Sequence, residues 1–188
     1  MKQRCFWAGT DKLYNDYHDL EWGVPIHNDR ILFEFLVLEG AQAGLSWRTI
    51  LERRENYRQA FDNFDYNKII KYNEEKIQKL LENPGIIRNK LKIRSVVTNA
   101  KAFLKIREEF ESFDKYLWNY VNNVPIQTNC KTGAEIPAQT ELSETISKDL
   151  KKRGFTFVGP TIIYAFMQAI GIVNDHTTDC FRHSKLSK

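Results

Sequence analysis

Two pairs of soft metal ligands sit at opposite ends of this 188-residue chain, Cys5 with His18 and His176 with Cys180. The second pair reads His-x-x-x-Cys, and on a helical turn positions four apart face the same way. Two thiolates and two imidazoles form a closed tetrahedral set that suits a structural zinc ion. Such a clip would also tie down chain ends that otherwise fray. The competing reading is two ordinary buried thiols and two core or surface histidines. A second group is aromatic. Three of the four tryptophans, Trp7, Trp22 and Trp47, fall in the first 47 residues, close to Tyr17, Glu39 and Gln42. Aromatic walls with one carboxylate are what a flat heterocycle requires, with stacking on its faces and hydrogen bonding at its edge. Glu39 is expected to end an apolar helix immediately before Gly40, at the negative end of the helix dipole. A residue set against local preference is a candidate for function. The plainer alternative has Glu39 reaching solvent and the rings packing the core.

Positive charge forms the third group. Residues 86–107 carry Arg88, Lys90, Lys92, Arg94, Lys101, Lys105 and Arg107 with no acid among them. Lys148, Lys151, Lys152 and Arg153 follow later, just before a Gly154–Gly159 turn. Both clusters suit a phosphate backbone, or else simply a solvated surface. Amides at the start of a helix from Thr161 would add a phosphate site.

Helices must position these groups. Residues 31–39 are apolar on nearly every face, as in a helix buried on several sides, with Asn28 and Asp29 as caps. Helical patterning continues over 47–61, two short helices are expected from Asp65 and Asn73, and an amphipathic helix covers 91–106. Another starts at Asp114 and runs to 122, a long surface connection fills 123–139, and helices follow over 140–153 and 161–172. Strand-like alternation is nearly absent. The predicted fold class is all-α.

Composition narrows the function classes. Aromatic residues reach 13%, enough for a real core, so a disordered chain is excluded. The 28 basic and 24 acidic residues leave +4, which permits a nucleic-acid partner without demanding one. No apolar run is long enough for a membrane span. Three cysteines do not make a disulfide scaffold, and the first residues form no apolar leader. A soluble protein of the cytoplasm is expected.

Longer segments are more specific. Tyr17-His-Asp-Leu-Glu-Trp-Gly-Val-Pro25, Leu38-Glu-Gly-Ala-Gln-Ala-Gly-Leu-Ser-Trp47 and Lys151-Lys-Arg-Gly-Phe-Thr-Phe-Val-Gly159 closely resemble the bacterial 3-methyladenine DNA glycosylase I family. The match extends through Pro84-Gly-Ile-Ile-Arg88 and Ile172-Val-Asn-Asp-His176 to Cys180, essentially the whole chain. The resemblance implies a helix-hairpin-helix DNA glycosylase fold, one two-lobed unit over 1–188, with the termini joined by one structural Zn2+ on Cys5, His18, His176 and Cys180. It puts Glu39 and Tyr17 at the edge of an extruded base as the catalytic pair, Trp47 stacked on that base, and Trp7 and Trp22 as further walls. Gln42 and Leu45 match the segment that enters the duplex, and Lys152, Arg153, Gly159 and Thr161 the backbone grip. The hairpin Phe157-Val-Gly-Pro-Thr161 departs from the Pro-Gly-apolar-Gly pattern frequent in the wider superfamily. The implied activity is monofunctional release of 3-methyladenine from double-stranded DNA by a monomer. Asp175 directly precedes a zinc ligand and reads as structural. The rival readings are a non-catalytic damaged-DNA-binding module, a zinc hydrolase, which would need an open metal position, and a glycosylase with wider alkylpurine scope.

Overall fold

The computed structural model describes residues 2–187. Among these residues eleven α-helices follow one another: α1 (Lys12–Leu20), α2 (Asp29–Gln42), α3 (Trp47–Leu51), α4 (Arg54–Ala60), α5 (Tyr66–Ile69), α6 (Glu74–Glu82), α7 (Lys90–Phe110), α8 (Phe113–Trp118), α9 (Glu141–Lys152), α10 (Pro160–Ala169) and α11 (His183–Leu186). The only sheet among the described residues is a parallel pair of two-residue strands, β1 (Ile126–Gln127) and β2 (Val173–Asn174). The mostly helical fold agrees with the sequence reading.

Helix α2 is the axle. Its residues from Leu32 to Ala41 are all buried, because α10, α3, α7 and α8 surround it. Asn28 caps it by accepting from the amides of Arg30 and Ile31. The Asp29 carboxylate then gathers Arg107 of α7 and the first amides of α8. Buried Glu34 draws Arg54 and Arg58 of α4 against it.

Several boundaries differ from expectation, each for a local reason. Helix α2 does not stop at Glu39 but continues one turn to Gln42. Gly40 lies inside α2, where a Cβ would come within 3.2 Å of Phe157 Cβ, so the glycine lets α2 pack tightly on the 154–159 turn. The expected 47–61 helix is two helices, broken at Glu52–Arg53. The last long helix ends at Ala169 rather than 172, since Gly171 takes φ +77° and a Cβ on it would come within 2.4 Å of the passing backbone at Val24 and Pro25. Helix α1 had no counterpart in the sequence reading. It starts at Asp11, which accepts from the Tyr14 amide, and turns only Tyr17 and His18 fully inward.

Candidate functional site

Tyr17, Glu39 and Trp47 come from three different helices and meet at one cavity of about 320 Å3, joined there by Trp7, Trp22 and Gln42. The ring pairs are tilted or edge-on: Tyr17–Trp47 centroids are 5.4 Å apart and Trp7–Trp22 4.9 Å. Edge-on packing leaves aromatic walls with open faces between them. Glu39 is 4% exposed and, among the described residues, its carboxylate has no hydrogen-bond partner. Burial alone pushes its pKa up to about 8. Burial, and then the Glu39 charge, hold the Tyr17 phenol well above its ordinary value. The Trp47 indole N–H is also buried without an acceptor. A cavity with an unpaired acid, an unpaired donor and aromatic walls is set to take a flat polar ring. Further cavity residues escaped the sequence reading: Phe6, Tyr14, Gly133, Ile136, Ala165 and Gln168. Tyr14 lies one turn before Tyr17 on α1, a spacing that an α1 assignment would have exposed.

The four predicted metal ligands come together. All are buried, and their donor atoms lie within 4.8 Å of one another. Cys5 Sγ is 3.4 Å from His176 Nδ1, and Cys180 Sγ is 3.4 Å from His18 Nε2 and 3.5 Å from His176 Nδ1. The free imidazole nitrogens are fixed from behind. His18 Nδ1 meets Asp19, itself paired with Arg4, while His176 Nε2 donates to the Trp22 carbonyl at 3.0 Å. Backing of this kind sets the imidazole tautomers that a metal site needs. The cluster also touches the cavity wall, since Trp22 packs edge-on against His176 and Trp7 against His18.

The remaining predicted residues lie at the end of α2, on the loop after it, and around the α9–α10 turn. Gln42 and Leu45 line a second, smaller hollow with Thr161, and Leu45 is partly exposed on the loop after α2. Lys92 does not face solvent as a phosphate-binding charge. Its ammonium donates to the carbonyls of Ala41 and Ala43 at 2.8 and 2.6 Å, closing the end of α2. Arg94 pairs with Glu74 and Arg107 with Asp29, so the basic block is partly spent inside the fold. Arg88, Lys90, Lys101 and Lys105 stay exposed.

The turn between α9 and α10 is held on both sides. Asn99 donates to the Thr156 carbonyl and accepts from its amide, while Ser147 donates to the Val158 carbonyl at 2.6 Å. Pro160 opens α10 after Gly159. Arg153 donates to Asp149 and Glu109 and lies over the rings of Phe110 and Tyr116. Lys152 is exposed and makes no ion pair among the described residues. The two neighbours should therefore behave differently. If the sequence expectation of a duplex partner holds, Lys152→Ala should reduce the salt dependence of DNA binding by about one unit of log–log slope, equally for damaged and undamaged duplex. Arg153→Ala should mainly lower the melting temperature, because two carboxylates lose their partner. Titrations at several salt concentrations, with melting curves, check both outcomes; a loss confined to damaged DNA would contradict the Lys152 role.

A family model for methyladenine glycosylases matches residues 7–183. The chain is 49% identical over 178 residues, 95% of each protein, to DNA-3-methyladenine glycosylase 1 of Escherichia coli strain K12. It superposes on a crystal structure of 3-methyladenine DNA glycosylase I with TM-score 0.94 and 50% identity, covering 96% of this chain and all of the other. A tyrosine-to-phenylalanine variant of a further 3-methyladenine DNA glycosylase I, in complex with 3-methyladenine, matches with TM-score 0.93 at 34% identity, over 96% of this chain and 97% of that one.

Proposed function

The chain belongs to the methyladenine glycosylase family and so is an enzyme that hydrolyses N-glycosyl bonds; we propose that it extrudes 3-methyladenine from duplex DNA and releases it without cutting the strand. The observation that carries this reading is the aromatic cavity with the unpartnered, buried Glu39 carboxylate on its wall. Methylation at N3 makes the base cationic while it is still attached to the sugar and weakens the glycosidic bond. Its departure gives a neutral purine, so the enzyme need not protonate the leaving group. What the protein must supply is extrusion, recognition and charge. A damaged base costs less to unpair, which favours its capture. Glu39, protonated in the empty cavity at neutral pH, ionises to water beside the cationic nucleotide, accepts from the exocyclic amine and balances the positive charge. The Tyr17 hydroxyl shares that edge, Trp47 stacks on the ring, and Trp7 and Trp22 close the walls. Gln42 and Leu45 fill the space the base leaves in the duplex. Helices α9 and α10 with residues 153–159 act as a helix-hairpin-helix, gripping phosphate through Lys152, Gly159 and the amide of Thr161, with Arg153 bracing the hairpin from behind. Nothing in this scheme requires a lysine nucleophile, hence the strand stays intact.

The donor set fits zinc. Zinc–sulfur and zinc–nitrogen bonds of about 2.3 and 2.05 Å give tetrahedral S···N edges of about 3.6 Å, close to the 3.4–3.5 Å found between the cluster's sulfurs and imidazoles. Cys5, His18, His176 and Cys180 would hold one ion as a cross-link between the chain ends. With four protein ligands no position is left open for a reaction. One chain carries the whole cavity, which supports a single unit over 1–188 acting as a monomer. A DNA substrate and three unpaired thiols suit the reducing cytoplasm.

Methylated duplex DNA incubated with the protein should yield free 3-methyladenine by chromatography while the strands stay whole. Trp47→Ala should slow that release about tenfold or more, since stacking is worth about 1–3 kcal/mol per base. Tight binding of damaged duplex with no free base would favour the non-catalytic module instead.

A further inference from the structure

Glu39 is not the only hydrogen-bond acceptor that the cavity holds unpaired. Gln168, on α10, also lines it. Its amide nitrogen donates to Asp175 Oδ2 at 2.6 Å. Asp175 is fully buried, and the same carboxylate oxygen accepts from the Tyr164 hydroxyl at 2.7 Å. A carboxylate accepts hydrogen bonds and does not donate them, so the Gln168 amide has one permitted orientation: nitrogen toward Asp175, carbonyl away from it. Among the described residues no group donates to that carbonyl oxygen. The main chain of Gln168 is equally fixed, since its backbone carbonyl accepts from the amides of Gly23 and Gly171. Helix α10 packs along α2, so Gln168 and Glu39 border one cavity from two adjacent helices.

We propose that Gln168 is a specificity residue, held by Asp175 as a fixed acceptor, that selects purines with an amino edge and rejects those with an oxo edge. The inference rests on the base-release reading above and narrows its substrate class. The 6-amino group of a methylated adenine can donate to the Gln168 oxygen. The 6-oxo group of a methylated guanine would set one lone pair against another with no proton between them. Sites that require a hydrogen bond from the substrate reject analogues unable to make it far more strongly than shape alone can. Asp175 is here a positioning residue, acting on the base only through the Gln168 amide.

The test uses duplex DNA treated with a methylating agent so that it carries both 3-methyladenine and 3-methylguanine. Single-turnover release of each base is followed by chromatography for the parent, Gln168→Met and Asp175→Asn. The parent should strongly prefer 3-methyladenine. Gln168→Met should lose about tenfold in 3-methyladenine release with 3-methylguanine release unchanged or faster, so that the ratio of rates contracts at least tenfold. Asp175→Asn should contract the ratio too, because asparagine can donate to the Gln168 oxygen and let the amide invert. Metal content is measured alongside, since Asp175 adjoins His176. Equal losses for both bases, or an unchanged ratio, would reduce Gln168 to a packing residue and overturn the proposal. A fixed ratio in a metal-replete Asp175→Asn protein would remove Asp175 from it. A parent that releases neither base would instead defeat the broader glycosylase reading.

Discussion

Glu39→Gln is expected to give a protein that is more stable than its parent at alkaline pH and markedly slower at releasing base. Burial lifts the carboxyl from an ordinary 4.5 to about 8 in the folded chain. Between those values the folded protein holds a proton that the unfolded chain does not. Stability contributed by the neutral acid is therefore complete below about pH 4.5 and is lost as pH rises toward 8. At about 1.4 kcal/mol per unit, the window is worth on the order of 5 kcal/mol. A glutamine has no proton to lose, so the variant should melt on the order of 10 °C above the parent at pH 8–9 and close to it at pH 4–5. The same change removes the carboxyl that ionises against a cationic base, and hydrogen bonds to charged groups are worth about 1.5–3 kcal/mol. Single-turnover excision should fall about tenfold to a hundredfold, while undamaged DNA binds as before. Parental rates and a parental melting profile at pH 9 would together take Glu39 out of the cavity's chemistry.

Cys180→Ala should strip the metal and lower the melting temperature by more than any surface substitution. The parent should carry one zinc per chain by elemental analysis. Structural zinc contributes folding free energy directly, because the site does not exist in the unfolded chain. Trp7 and Trp22 pack against His18 and His176, so the loss should also weaken binding of free 3-methyladenine. A catalytic metal predicts the opposite pattern, with unchanged melting and abolished activity. Full metal occupancy with unchanged melting would remove Cys180 from the ligand set.

Sequence patterning was most informative where one physical demand governed a whole segment. Apolar residues on every side of 31–39 announced a helix buried all round, and Asn28 announced its start. Ligand chemistry flags Cys5, His18, His176 and Cys180, although spacing alone favours ordinary buried thiols; their convergence belongs to the fold. The end of α2 was misread because Gly40 looks like a stop signal. The glycine serves a close approach to Phe157, 117 positions away, and Lys92 from another helix closes the later helix end. The basic block misled in the same way, since a list of charges does not reveal that Lys92, Arg94 and Arg107 have partners at Ala41, Glu74 and Asp29. Gln168 left no local signal, for its significance arises from an aspartate on the next segment and from a cavity formed by distant helices.

The crossing of the two chain ends has a mechanical meaning. Besides the Cys5–Cys180 cluster, the Phe181 amide donates to the Gln3 carbonyl at 3.0 Å, and these contacts close almost the entire chain into one ring. A pull applied between the first and last residues would load this seam and leave the helices slack. With the proposed zinc in the cluster, the force needed to extend the molecule would be set by rupture of metal–ligand bonds rather than by unzipping of helix packing.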